Sequence, residues 1–123
     1  MADASGKTMV ERRPHGHVEV LSVRAAELYR ADAIEQLGRE LRRLIDETSP
    51  AAFVLDLGAV GFLSSAALGL LLNLRAHLEE RKYPFALAAA SGEVAEVLRR
   101  ARLDEVMPVY PTVEEALRRL AKR

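Results

Sequence analysis

The chain contains no cysteine. Disulfides, thiolate metal sites, iron–sulfur clusters and a cysteine nucleophile are therefore excluded. It has no tryptophan and only 5% aromatic residues, too few for a platform that stacks bases or sugars. It lacks an excess of charge of either sign: 18 Lys and Arg balance 18 Asp and Glu. A nucleic-acid binder needs a basic face to displace counterions from phosphates, so none is expected as partner. No basic segment leads into an apolar one at the start, which argues against a signal peptide. The 18 uncharged residues from Leu57 to Leu74 touch the lower limit for a membrane helix. Gly58, Gly61, Ser64, Ser65, Gly69 and Asn73 interrupt them. A strand end, a loop and a helix are the better account, no membrane insertion is expected, and the expected compartment is the cytoplasm.

What is present suits one α/β domain. At 123 residues the chain has room for a single core. Residues 1–8 are small and polar and are expected to be disordered, leaving 9–123 as the domain. Met9 to Arg13 reads as a short strand and Pro14 to His17 as a turn, with Gly16 free to take positive φ. Val18 to Val23 alternates apolar and polar residues, predicting a strand with one buried face. Asp32 and Glu35 have capping-box spacing before a helix with Ala33, Leu37, Leu41, Leu44 and Ile45 in phase. Thr48-Ser49-Pro50 stops it. Ala52 to Leu57 is an apolar run typical of a strand covered on both sides.

A second helix is expected from Ser65 to about Lys82, with Leu68, Leu71, Leu72 and Leu78 buried. Phe85 to Ala89 follows as a strand and Gly92 to Ala101 as a helix. Val106 to Tyr110 is an edge strand, since Pro108 lacks a ladder donor. The last helix begins at Thr112, with Glu115 in capping-box position. Strands alternating with helices predict a four- to five-stranded, mixed but largely parallel sheet packed with about four helices. In such sheets ligands and partners meet the carboxyl ends of the strands, here the loop Gly58–Leu63 and the start of the second helix.

That start reads FLSSAALG, Phe62 to Gly69. Both serines could serve as caps. Alternatively Ser64 caps and Ser65, one residue on, keeps its hydroxyl free, which makes Ser65 the better modification site. An added phosphate would meet unpaired N–H groups and a fractional positive charge. Gly69 inside a helix costs about 1 kcal/mol relative to Ala, which suggests either close packing or a partner surface. No catalytic constellation has support. His15 and His17 flank a turn, His77 is expected on a solvated helix face, G-x-S-x-G is absent and no Gly-rich loop precedes a Lys. No catalytic residue, metal ligand or cofactor is assigned.

FLSSAALG, preceded by VLDLGAV (Val54 to Val60), resembles the core motif of STAS domains, specifically the bacterial anti-sigma factor antagonists. SGEVAEVLRRARLDEVMPVYPTVEEAL (Ser91 to Leu117) is similar to the family's C-terminal half. GHVEVLSV followed by Ala26-Glu27-Leu28 is similar to its second strand and acidic turn. The resemblance covers roughly Gly16 to Leu120. It implies a non-enzymatic switch by partner exchange. The unmodified protein binds an anti-sigma factor of the histidine-kinase-like ATPase type and frees a sigma factor, phosphorylation by that kinase releases it, and a phosphatase resets it. By position Ser65 matches the phosphoacceptor, Ser64 the residue before it, Asp56 the strand-end aspartate and Gly69 the helix glycine. Gly61, Phe62, Ser64, Ser65, Ala66, Ala67, Leu68 and Gly69 are the expected partner-binding residues. The chain departs from the pattern at Ala26, Tyr29, Gly58 and Ala67. The resemblance also allows a docking subunit of a stress-signalling assembly or lipid-transport ABC complex without a phospho-switch, and leaves a homodimer open.

Overall fold

A computed structural model describes residues 8–50 and 52–121; the N-terminal segment expected to be disordered lies outside them up to residue 7. Strands β1 (Val10–His15) and β2 (Val18–Val23) form an antiparallel hairpin. Gly16 turns it with φ +60°, a conformation glycine adopts without steric cost. Pro14 lies within β1 and not in the turn, which an edge strand tolerates. Then come β3 (Glu27–Leu28), α1 (Ala31–Glu47), β4 (Ala52–Asp56), β5 (Phe62–Leu63) and α2 (Ser65–Glu80). The chain continues through β6 (Phe85–Ala88), α3 (Gly92–Arg100), a short 3₁₀ turn (Leu103–Glu105), β7 (Val109–Tyr110) and α4 (Val113–Ala121). The sheet order is β1-β2-β4-β6-β7, parallel except at the hairpin.

The sheet has a helical layer on each side. Leu21, Phe53, Leu55 and Leu87 face α1, α2 and α3 in the larger core, which also holds Leu37, Leu41, Leu74 and Leu98. Val18, Val20, Val54 and Ala86 face α4 through Ala116 and Leu120. This second layer corrects the expectation of one buried face for β2, whose six residues are all buried. Its polar members are satisfied: Glu19 pairs with Arg12, and Ser22 donates to Asp56 at 2.8 Å.

Helix starts and stops show where local signals lose to packing. α1 begins at Ala31 with Arg30 as its cap residue, two positions before the expected cap. Asp32 instead takes Arg30 at 3.2 Å through both carboxylate oxygens. Ile34 and Gly38 join the buried stripe, whereas Ala33 and Leu44 are only half-buried. Gly38 is required by packing: a Cβ there would come within 3.0 Å of Leu70 Cδ1 on α2. In α2 the buried stripe is Ala67, Leu70, Leu71, Leu74 and Leu78. Leu72, expected inside, is 45% exposed, and Leu68 is half-buried.

His77 is not a solvated residue, because its side chain retains only 16% exposure. It bridges α2 to α1 through Asp46 at 2.9 Å, with Arg81 on the same carboxylate at 2.9 Å. The edge strand shrinks to Val109–Tyr110 because Val106 follows the 3₁₀ turn. Thr112 Oγ1 accepts the Glu115 N–H at 3.0 Å. The Glu115 carboxylate does not close the capping box and turns to Arg118 and Arg119.

Candidate functional site at the start of the second helix

The carboxyl end of β4 is held by a polar network. Asp56 Oδ1 accepts the Gly58 N–H at 2.9 Å, while Oδ2 accepts from Ser22 Oγ at 2.8 Å. Arg13 reaches both Ser22 and Asp56, at 3.1 and 3.5 Å. A Cβ on Gly58 would lie 3.1 Å from Asp56 Oδ1, so a larger residue there would push against the carboxylate that fixes the loop. Asp56 thus orients the loop and makes no hydrogen bond to Ser64 or Ser65.

The loop then runs beside β3. Gly61 N–H donates to Ala26 O at 2.6 Å, β5 pairs in parallel with β3, and Ser64 N–H donates to Leu28 O at 2.9 Å. This two-stranded ladder fixes the height at which α2 begins. No sequence signal marks it, because each strand is two residues long.

Ser64 is the N-cap, with extended backbone (φ −87°, ψ 171°) and its Oγ accepting the Ala67 N–H at 3.2 Å. Ser65 is the first helical residue and is exposed. The two hydroxyls therefore have different duties: one is turned onto the backbone and the other faces outward. Gly61, Phe62 and Ala66 are exposed beside Ser65, and Leu68 and Gly69 are half-buried. Ala67, expected among the docking residues, points into the core at 1% exposure. Gly69 is not needed for packing, since a Cβ on it would meet nothing within 4 Å.

Sequence reasoning missed one part of this surface. Tyr29, 55% exposed, lies edge-on to Phe62, which is 42% exposed, with ring centroids 6.3 Å apart. The two rings form an apolar ridge that only the β3–β5 ladder brings together. Next along the chain, the Arg30 hydrogen bond and the Ala33 N–H hold the Asp32 carboxyl below its ordinary range. Among the described residues no group of three or more His, Cys, Asp or Glu side chains could hold a metal ion. No described helix is long and apolar enough to cross a membrane.

The model of the STAS domain family matches residues 14–116, and the chain belongs to that family. Its fold is that of the anti-sigma factor antagonists. An anti-sigma factor antagonist from Mycobacterium paratuberculosis is 30% identical over 91% of this chain and 92% of its own, with a TM-score of 0.69. An anti-sigma-factor antagonist (STAS) domain protein from Planctomyces limnophilus is 26% identical over 91% of this chain and 97% of its own, with a TM-score of 0.77. A sulfate transporter family protein from Wolinella succinogenes shares the fold, at 17% identity and a TM-score of 0.71 over 98% of this chain and 93% of its own.

Proposed function

We propose that this protein is an anti-sigma factor antagonist switched by phosphorylation of Ser65. The unmodified form binds an anti-sigma factor of the histidine-kinase-like ATPase type in the cytoplasm and so releases a sigma factor. That kinase phosphorylates Ser65 and the complex parts, and a phosphatase restores the starting state. The protein is the kinase's substrate and carries out no chemistry of its own.

The observation that carries this reading is the division of labour between the serines. Ser64 spends its hydroxyl on the Ala67 N–H, whereas Ser65 presents its own to the outside. Phosphorylation adds about 1.5 to 2 negative charges. On a surface made by Phe62, Ala66 and Gly61, a partner would desolvate that charge against apolar groups. A loss of a few kcal/mol suffices, because about 1.4 kcal/mol is tenfold in affinity.

The test is capture of partners by purified variants. Ser65→Ala is expected to retain the anti-sigma kinase, and Ser65→Asp to lose it by about tenfold or more in affinity. Incubation with ATP and that kinase should add the mass of one phosphoryl group to wild type and none to Ser65→Ala. Equal binding by both variants would exclude the switch. The second reading, a docking subunit without a phospho-switch, is supported by the same fold in a sulfate transporter family protein. It predicts stable capture of a transporter or scaffold protein by both variants.

A further inference from the structure

Helices α1 and α2 run parallel. Ala31 lines the same groove as Ala66, Gly38 sits against Leu70, and Asp46 meets His77. Between them lies an open groove of about 400 Å³ with Ile34, Gly38, Gly69 and Leu70 in its floor and Glu35 and Arg42 on its α1 rim. Three observations mark this face as unfinished.

The first is the outward side of α2. Ser65, Gly69, Leu72 and Ala76 share one helical face, and none is charged. A helix facing water normally carries polar residues there, yet Leu72 is 45% exposed. The second is Gly69, which weakens the helix while a Cβ on it would touch nothing within 4 Å. The third is Arg42. Most described arginines lie within 4 Å of a carboxylate; Arg42 and Arg100 do not, among the described residues. The Arg42 guanidinium instead folds back over Gly38, its nitrogens 3.7 and 3.9 Å from where a Cβ would sit.

The face is complementary to itself. Suppose a second copy packs on it antiparallel about a two-fold axis lying across both helices. Leu72 then enters the space over the second copy's Gly69, and that pairing has its midpoint between Leu70 and Leu71. Arg42 meets the second copy's Glu35, which in its own chain has only the exposed Arg39 at 3.9 Å, and that pairing has its midpoint between Gly38 and Arg39. Gly38 and Leu70 already touch side by side, so the two midpoints stand at one height and a single axis satisfies both. Isologous pairing of this kind is the commonest form of self-association.

We propose that this chain forms a two-fold dimer through the α1–α2 face, with Leu72 seated on Gly69 and Arg42 paired with Glu35 across the axis. The same register sets Ser65 opposite the second copy's Ala76. Self-association and docking of another protein at Ser65 are then mutually exclusive. The proposal does not rest on the phosphorylation reading, and the two fail separately.

Sedimentation velocity of the full chain from about 10 μM to about 1 mM tests it, a range suited to a weak interface. Wild type is expected to pass from monomer to dimer. Leu72→Glu and Arg42→Glu should each weaken association by about tenfold or more, with unchanged circular dichroism. The exchange Glu35→Arg with Arg42→Glu should bring it back to within about threefold of wild type. A monomer across the whole range overturns the proposal, including the case where another protein fills the face. So does a dimer indifferent to both single variants. A double variant as weak as Arg42→Glu overturns the antiparallel register.

Discussion

At the scale of single residues, two adjacent serines with one sequence context have unequal energetic roles. Ser64 satisfies the Ala67 N–H that the first turn of α2 would otherwise leave unpaired. Its replacement by alanine should lower stability by about 1 kcal/mol. Ser65 makes no such bond and is exposed, so Ser65→Ala should stay within about 0.5 kcal/mol of wild type. Urea denaturation of the two variants side by side checks both figures. Equal losses would mean that Ser65 also caps. FLSSAALG placed both serines at the helix start but left open whether both cap or Ser64 alone; the bond from the Ala67 N–H to Ser64 Oγ decided it. The Tyr29–Phe62 ridge was not readable, since it depends on contact between residues 33 positions apart.

At the scale of elements, α2 differs from α1, α3 and α4 in having no acidic residue in its first turn. The fractional positive charge of its N-terminus is therefore unmatched by its own side chains. Ser65→Asp should stabilise the protein by about 0.3–1 kcal/mol in low salt, with the gain fading as salt screens it. Thermal melts at two ionic strengths measure this. A melting temperature below wild type at low salt would contradict it. The sign matters for the proposed switch: a negative group at residue 65 would act on the partner's surface and not by melting the helix. Elements long enough to show a period were legible in the sequence. Their faces were less so. Leu72 has the same hydrophobicity as Leu71, and only the angle at which α2 lies on the sheet puts one inside and the other out.

At the scale of the whole molecule, a single sheet separates two apolar layers of unequal size. β2 and β4 contribute side chains to both, so neither layer can loosen without exposing the other through the same strands. Phe53, fully buried and edge-on to Tyr83 at 5.3 Å, anchors the larger layer. Phe53→Ala should cost about 3–5 kcal/mol. Unfolding should remain one transition when followed by far-ultraviolet circular dichroism and by tyrosine fluorescence. Separate midpoints for the two probes would show that the two layers do not unfold together.

The alternation of strands and helices, the breaks at Pro50 and Pro84, and the hydroxyl pair before an apolar helix were all fixed by local chain chemistry: period, capping and the missing N–H of proline act over a few residues. Tertiary packing alone decided the rest. It covered β2 on both faces, drew His77 onto Asp46, placed the start of α1 before its own capping signal, and built the β3–β5 ladder that fixes where α2 begins and brings Tyr29 against Phe62. These outcomes depend on which surfaces meet across the sheet. Contacts between residues distant in sequence leave no periodic trace in the chain itself.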